Sequence, residues 1–134
     1  MRIIITDNYK DMSKKAADIV SSQLILKPES VLGFATGSTP LEMYKYLTAF
    51  YKDGRVDFKK ARTFNLDEYH GLNKEDKQSY YYYMYDNFFR HVNFDSKHTW
   101  IPDGMAADIE KECSKYERVI HSCGGIDLQV LGIG

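Results

Sequence analysis

The feature that most restricts the possible folds is a strand that runs straight into a helix. In Gly33-Phe34-Ala35-Thr36-Gly37-Ser38-Thr39-Pro40 an apolar run ends at a glycine turn, and a helix-starting proline follows at once. Residues 40–51 then carry Met43, Tyr44, Leu47 and Phe50 at helical spacing. A further strand-like run, residues 62–67, comes next. The same alternation extends along the chain. Residues 2–6 read as a first strand, and residues 11–26 as a helix buried through Met12, Ala16, Ile19, Val20 and Leu24. Lys27-Pro28 ends that helix, because proline pushes the preceding residue out of the helical region. Residues 31–35 form the strand before the glycine turn.

Beyond residue 70 the pattern continues. Residues 79–91 are expected to be helical, with Tyr81, Tyr85, Phe88 and Phe89 facing the core. Residues 99–101 read as a short strand before a Pro102-Asp103-Gly104 turn. Residues 106–122 form a helix with Ile109, Cys113, Tyr116 and Ile120 on one face, stopped by Gly124-Gly125, and residues 126–133 close the chain as a strand. The expected fold class is α/β: a Rossmann-like, mostly parallel sheet with helices on both faces. Residues 1–134 are expected to form a single α/β domain, the N-terminal part of a longer one. The end at Leu131-Gly132-Ile133-Gly134 reads as a truncation, because it falls where such a strand should turn into a site-building loop.

Composition removes several function classes. With 134 residues and a formal net charge of -1, the chain has neither the length for two cores nor the basic stripe of a nucleic-acid binder. Its apolar runs are strand-length, so neither a membrane span nor a signal peptide is expected, and the expected location is cytoplasmic. Cys113 and Cys123 lie about 15 Å apart along one expected helix, too far for a disulfide. Both are expected to be buried small apolar residues, and no metal site is expected.

Two loops carry chemistry. Thr39-Pro40-Leu41-Glu42 fits a capping box, with Thr39 as N-cap and Glu42 reaching back. Gly37, Ser38 and Thr39 would then present backbone N–H groups and hydroxyls to an anion at a helix N-terminus. The same residues fit a well-capped helix with no ligand equally well. No dinucleotide or P-loop glycine pattern is present, so a nucleotide is not the expected anion. On the following strand Thr63, Asn65 and Asp67 share one face. Asp67, at the carboxyl end, is a candidate general base, although a turn cap would use the same residue type. Thr36, Asn65 and Glu68 are candidate lining residues. His70 reads as a solvent-facing loop residue.

These blocks, together with Phe64-Asn65-Leu66-Asp67-Glu68-Tyr69-His70-Gly71-Leu72, Ser79-Tyr80, Asn87-Phe88-Phe89, Ile101-Pro102-Asp103-Gly104 and the closing Asp127–Gly134 block, resemble the glucosamine-6-phosphate deaminase family. The resemblance covers essentially the whole chain. It implies conversion of glucosamine 6-phosphate and water to fructose 6-phosphate and ammonia in amino-sugar catabolism, without metal or organic cofactor. It implies that Asp67 is the base moving a proton between C2 and C1 through an enolamine, and that Gly37, Ser38 and Thr39 hold the phosphate. Many relatives carry glycine where this chain has Ser38. The family's ring-opening histidine and glutamate follow the closing motif and have no counterpart here, so little or no turnover is expected of this chain alone. The implied partner is a phosphosugar, with no nucleic acid or membrane, and a homo-oligomer is left open. A 6-phosphogluconolactonase-like hydrolase is the nearest alternative, disfavoured by Tyr69. A non-catalytic sugar-phosphate-binding module is the other.

Overall fold

The structure is a computed structural model and describes residues 1–133. Four strands, β1 (Val31–Phe34), β2 (Arg62–Asn65), β3 (Thr99–Trp100) and β4 (Leu128–Gln129), form one sheet in the order β3-β2-β1-β4, with every pairing parallel. Four α-helices accompany them: α1 (Tyr9–Leu26), α2 (Ser38–Lys52), α3 (Tyr80–Asn87) and α4 (Ile109–Ser122). Progress across the sheet runs from β1 to β3 and then jumps back to β4 on the other side of β1. The loops after β1 and β4 therefore leave adjacent strands at a topological switch point, where open α/β sheets place their ligands.

Register assigns the two faces. Leu32 pairs with Thr63 and Phe34 with Asn65, so these four side chains share one face. That face packs against Ala17, Val20 and Leu24 of α1, Met43, Tyr44, Leu47 and Phe50 of α2, and Met84 of α3. Phe88 is the hub. Its fully buried ring stacks on Tyr44 at 4.9 Å and meets Phe34, Phe58 and Phe94 edge-on at 5.4–5.6 Å. On the opposite face Phe64 stacks on Trp100 at 4.8 Å, and Tyr116 of α4 meets Phe64 edge-on at 5.6 Å. The Gln129 side chain of β4 lies over Gly33, its register partner, in the space a Cβ would take.

Several expectations change. Residues 2–6 form no strand: no described strand pairs with them, and Ile3 and Ile5 are exposed. Helix α1 starts earlier than expected because the Asn8 side chain caps it, accepting from the Asp11 N–H. Its buried face is Ser13, Ala17, Val20, Ser21 and Leu24, while Met12 and Ile19 are exposed. The small residues at four-residue spacing let α1 lie close against the core. Helix α3 ends at Asn87 and gives way to a 3₁₀ turn at Phe89–His91. Met84 and Phe88 take the core positions, and Tyr81 and Tyr85 face solvent. Helix α4 starts at Ile109, capped by Asp108, and buries none of its residues fully. Consequently Cys113 is exposed and Cys123 only half-buried, both as free thiols. Strand β4 is two residues long, and Gly134 of the closing motif lies outside the described residues.

Asp127 fastens β4 to β1. Its carboxylate accepts from the Val31 N–H at 2.8 Å and from Lys27 Nζ at 2.8 and 2.9 Å, while its own N–H donates to the Val31 carbonyl. The Lys27 hydrogen bond first, and then the Val31 N–H, hold its pKa below the usual carboxylate range. A depressed folded-state pKa means stability present above the unfolded value, about 3.9, and lost as pH falls through the folded value. Asp127→Asn should lower unfolding stability by about 1 kcal/mol near neutral pH, a margin that closes below about pH 4. Phe88→Ala should cost about 3–5 kcal/mol at any pH. Urea denaturation at pH 7 and at about pH 2 separates the two.

Candidate active site

The carboxyl edge of the sheet gathers the loops that follow all four strands. The first follows β1. Gly37 has φ 96° and ψ -175°, a conformation open essentially to glycine alone, and it turns the chain so that α2 begins at Ser38. This differs from the expected capping box. Gly37 occupies the N-cap position, no side chain caps the helix, and Thr39 lies inside the first turn. Glu42 does not reach back either, because its carboxylate pairs with Lys45 at 2.9 Å. The Glu42 N–H finds an acceptor elsewhere, in the Tyr9 hydroxyl at 3.2 Å. The expected anion-binding groups survive that change. Among the described residues, nothing accepts from the backbone N–H groups of Gly37, Ser38 or Thr39. They sit at the positive end of the α2 dipole. The loop after β4 comes up beside them, since a Cβ on Gly132 would lie 3.6 Å from the Thr39 Cβ.

The loop after β2 holds two adjacent carboxylates with opposite fates. Glu68 is fully engaged. Its Oε1 accepts from the N–H groups of Tyr69 at 2.9 Å and Tyr80 at 2.8 Å, and its Oε2 from the Tyr81 N–H at 2.9 Å. Ser79 Oγ takes the Tyr82 N–H and the Ser79 carbonyl takes that of Tyr83, so the first four donors of α3 are all satisfied. Glu68 was expected to line the site; it borders the recess described below, but its oxygens are committed to α3. Asp67, one residue earlier, makes no hydrogen bond or ion pair among the described residues. Its carboxyl pKa is raised, first by partial withdrawal from water and then by the neighbouring Glu68 charge.

Asp67 opens on a recess of about 200 Å³ bordered by Leu66, His70, Gly104, Ile109 and Cys113 among others. His70 is solvent-facing, as expected. Gly104 is forced to be glycine, because a Cβ would fall 2.4 Å from the Tyr69 carbonyl oxygen and 2.7 Å from that of Leu72. The Gly104 carbonyl also accepts from the Gly71 N–H at 2.7 Å, so the turn at residues 102–104 braces the loop that carries Asp67. Thr36 lies beside the Tyr80 phenol, whose pKa is raised, chiefly through the Tyr69 hydroxyl and then by burial. Asn65 is 2% exposed, and neither end of its side-chain amide has a partner among the described residues. The same holds for the Thr63 hydroxyl. No group of three or more His, Cys, Asp or Glu suited to a metal ion occurs among the described residues.

Residues 7–134 match the family model for glucosamine-6-phosphate isomerases/6-phosphogluconolactonase. The chain belongs to that family. Across all 134 residues it is 64% identical to a glucosamine-6-phosphate deaminase of Clostridium botulinum (strain Hall), and 60% identical to one of Halothermothrix orenii. It spans 55% and 56% of the length of those two relatives. Among solved structures, a monomeric glucosamine-6-phosphate deaminase superimposes with a TM-score of 0.97 at 40% identity, covering all of this chain and 56% of its own. A 6-phosphogluconolactonase from Plasmodium vivax shares the fold at 24% identity, with a TM-score of 0.76, over 95% of this chain and 45% of its own.

Sequence patterns placed Tyr44 on the buried face of its helix and Gly104 in a turn, but gave Tyr9, Tyr44, Tyr83 and Gly104 no part in the site. Tyr83 lies in the conspicuous Tyr80–Tyr83 run, and the turn containing Gly104 was visible. What each touches depends on tertiary packing.

The contrast between the two acids is measurable. A raised folded-state pKa makes ionised Asp67 a cost, and wild type regains that stability as pH falls through the raised value toward the unfolded one near about 3.9. Asp67→Asn should be at least as stable as wild type at pH 7 and lack the gain in acid. Glu68→Gln should lose about 1–2 kcal/mol, because it removes an acceptor and a charge from the α3 N-terminus. Thermal denaturation of both variants across pH checks the pair.

Proposed function

We propose that this chain carries the enolisation base and part of the phosphate cradle of a glucosamine-6-phosphate deaminase, acting in amino-sugar catabolism. The observation that carries this reading is the uncommitted Asp67 carboxylate. It stands at the carboxyl end of β2, on the same sheet edge as the free N–H groups of Gly37, Ser38 and Thr39, while its neighbour Glu68 is spent on α3.

The overall change is glucosamine 6-phosphate plus water to fructose 6-phosphate plus ammonia. The helix-start N–H groups and the Ser38 and Thr39 hydroxyls bind the phosphate and fix one end of the open-chain sugar. Anchoring the far end turns proton abstraction into an intramolecular event. Asp67 takes the C2 proton and returns it at C1. Its pKa, raised by partial withdrawal from water and by the Glu68 charge, strengthens it as a base. The neutral carboxyl formed after abstraction suits a partly desolvated position better than the carboxylate does. Thr36 lines the approach from β1, while Asn65 lies buried on β2, two residues before Asp67. In this reading the protein needs no metal or organic cofactor and acts in the cytoplasm on a phosphosugar. Support comes from the family match and from the identity to two deaminases along the whole of this chain.

The test is a chimaera in which residues 1–134 replace the matching segment of the Clostridium botulinum relative. It should release ammonia from glucosamine 6-phosphate. Asp67→Asn in the chimaera should lower kcat by about 10²–10⁴-fold and leave KM within about threefold. Hydrolysis of 6-phosphogluconolactone without ammonia release would move the assignment to the hydrolase branch. Sugar-phosphate binding with no turnover would make it a binding module.

A further inference from the structure

Three tyrosine hydroxyls converge on the backbone of the loop after β1, each from a different helix. Tyr44, on α2, donates to the Ala35 carbonyl. Tyr83, on α3, donates to the Gly37 carbonyl. Tyr9, on α1, donates to the Ser38 carbonyl at 2.6 Å and accepts from the Glu42 N–H. The loop is thus held through its carbonyls, and the N–H groups of Gly37, Ser38 and Thr39 are left without an acceptor.

We infer that Tyr9, Tyr44 and Tyr83 are positioning residues of the anion cradle, tying three carbonyls of residues 35–38 back to the helices so that the intervening N–H groups stay free and fixed for phosphate oxygens. The inference rests on the phosphate reading of this loop given above.

The physical case has three parts. Gly37 sits at φ 96° with open space around its α-carbon, so side-chain packing does nothing to hold that conformation. Glycine also loses the most freedom on being fixed. An unrestrained glycine turn would let the peptide planes rotate and point carbonyl oxygens toward an incoming anion. Hydrogen-bonding a carbonyl fixes the plane of its peptide unit and hence the direction of the following N–H. The Gly37 carbonyl held by Tyr83 sets the Ser38 N–H, and the Ser38 carbonyl held by Tyr9 sets the Thr39 N–H. A phenol is also suited to the task, because it reaches about 6 Å from its backbone while fixing only two side-chain torsions. Burial, and secondarily Tyr9, push the Tyr83 pKa up to about 12, and burial chiefly raises that of Tyr44, so both remain protonated donors through the neutral range. Pre-fixing the N–H groups removes the ordering cost that binding would otherwise carry.

The experiment uses the 134-residue chain labelled with ¹⁵N, as wild type, Tyr9→Phe/Tyr83→Phe and Tyr81→Phe. Tyr44 is left intact because its hydroxyl is buried and its loss threatens the fold. Tyr81 is a solvent-facing control on the same helix as Tyr83. Amide relaxation of Gly37, Ser38 and Thr39 is measured first, followed by titration with inorganic phosphate and with glucosamine 6-phosphate. In wild type and Tyr81→Phe we expect order parameters near about 0.85, with saturable shifts at these three amides. In the double variant we expect values below about 0.6 and an affinity at least fivefold weaker, with an unchanged far-UV spectrum. A folded double variant that keeps both order and affinity overturns the inference while sparing the phosphate reading. Absence of shifts in wild type with either probe overturns the phosphate reading and the cradle role with it, and the wild-type titration alone tells that result from the first.

Discussion

The Glu68 carboxylate, closed over the N-terminus of α3, is the contact on which the carboxyl edge of the sheet depends. Helix α3 has eight residues, too few to persist by its own hydrogen bonds. Glu68 and Ser79 satisfy its first turn, and Met84 with Phe88 anchors its far end in the core. Once fixed, α3 is shared property. It holds the loop after β2 through Glu68, and three residues into the helix Tyr83 holds the loop after β1. The separation between the Asp67 carboxylate and the Gly37 turn is therefore set by a rigid piece of helix rather than by two independent loops. That is the kind of support that a site acting on a small molecule fixed at both ends requires.

Much of this was legible in the sequence, and the misses have identifiable causes. Period and punctuation give the order of elements from residue 9 onward, because strand-length apolar runs and helical stripes alternate without ambiguity. Asp67 and Gly37 could be read as well, since a carboxylate after a strand and a glycine before a helix are local patterns. The capping box failed because a left-handed glycine started α2 two residues early, which left Thr39 inside the first turn and Glu42 paired with Lys45. The sequence separates Asp67, as candidate base, from Glu68, as lining residue, but does not show the task that Glu68 performs for α3. Which of two adjacent acids is consumed by a helix twelve residues away is a tertiary fact. The strand expected at residues 2–6 carries the right residue types, yet a strand exists only when another offers its edge.

Buried polar groups give the second theme. Thr63 and Asn65 place a hydroxyl and an amide on the face that otherwise holds Leu32 and Phe34, and neither finds a partner among the described residues. A buried amide in that condition costs about 1–3 kcal/mol. Such groups concentrate where a protein trades stability for chemistry, and Asn65 is two residues from Asp67. The aromatic cluster around Phe88 supplies stability on the same face, reaching Asn65's register partner Phe34 directly.

The pairing of β1 with β4 has a further consequence, for the order of events during synthesis. Val31 meets Asp127 across 96 positions of chain, and Leu32 meets Leu128 across as many. Until residues 127–129 leave the ribosome, β1 has only β2 beside it among these strands, and Gly33 lies bare where the Gln129 side chain will rest. From the emergence of β1 until β4 follows it, the nascent chain carries an unpaired parallel edge beside its most apolar strand. Contacts so distant in sequence form slowly, and an edge left open while they form is an invitation to other chains.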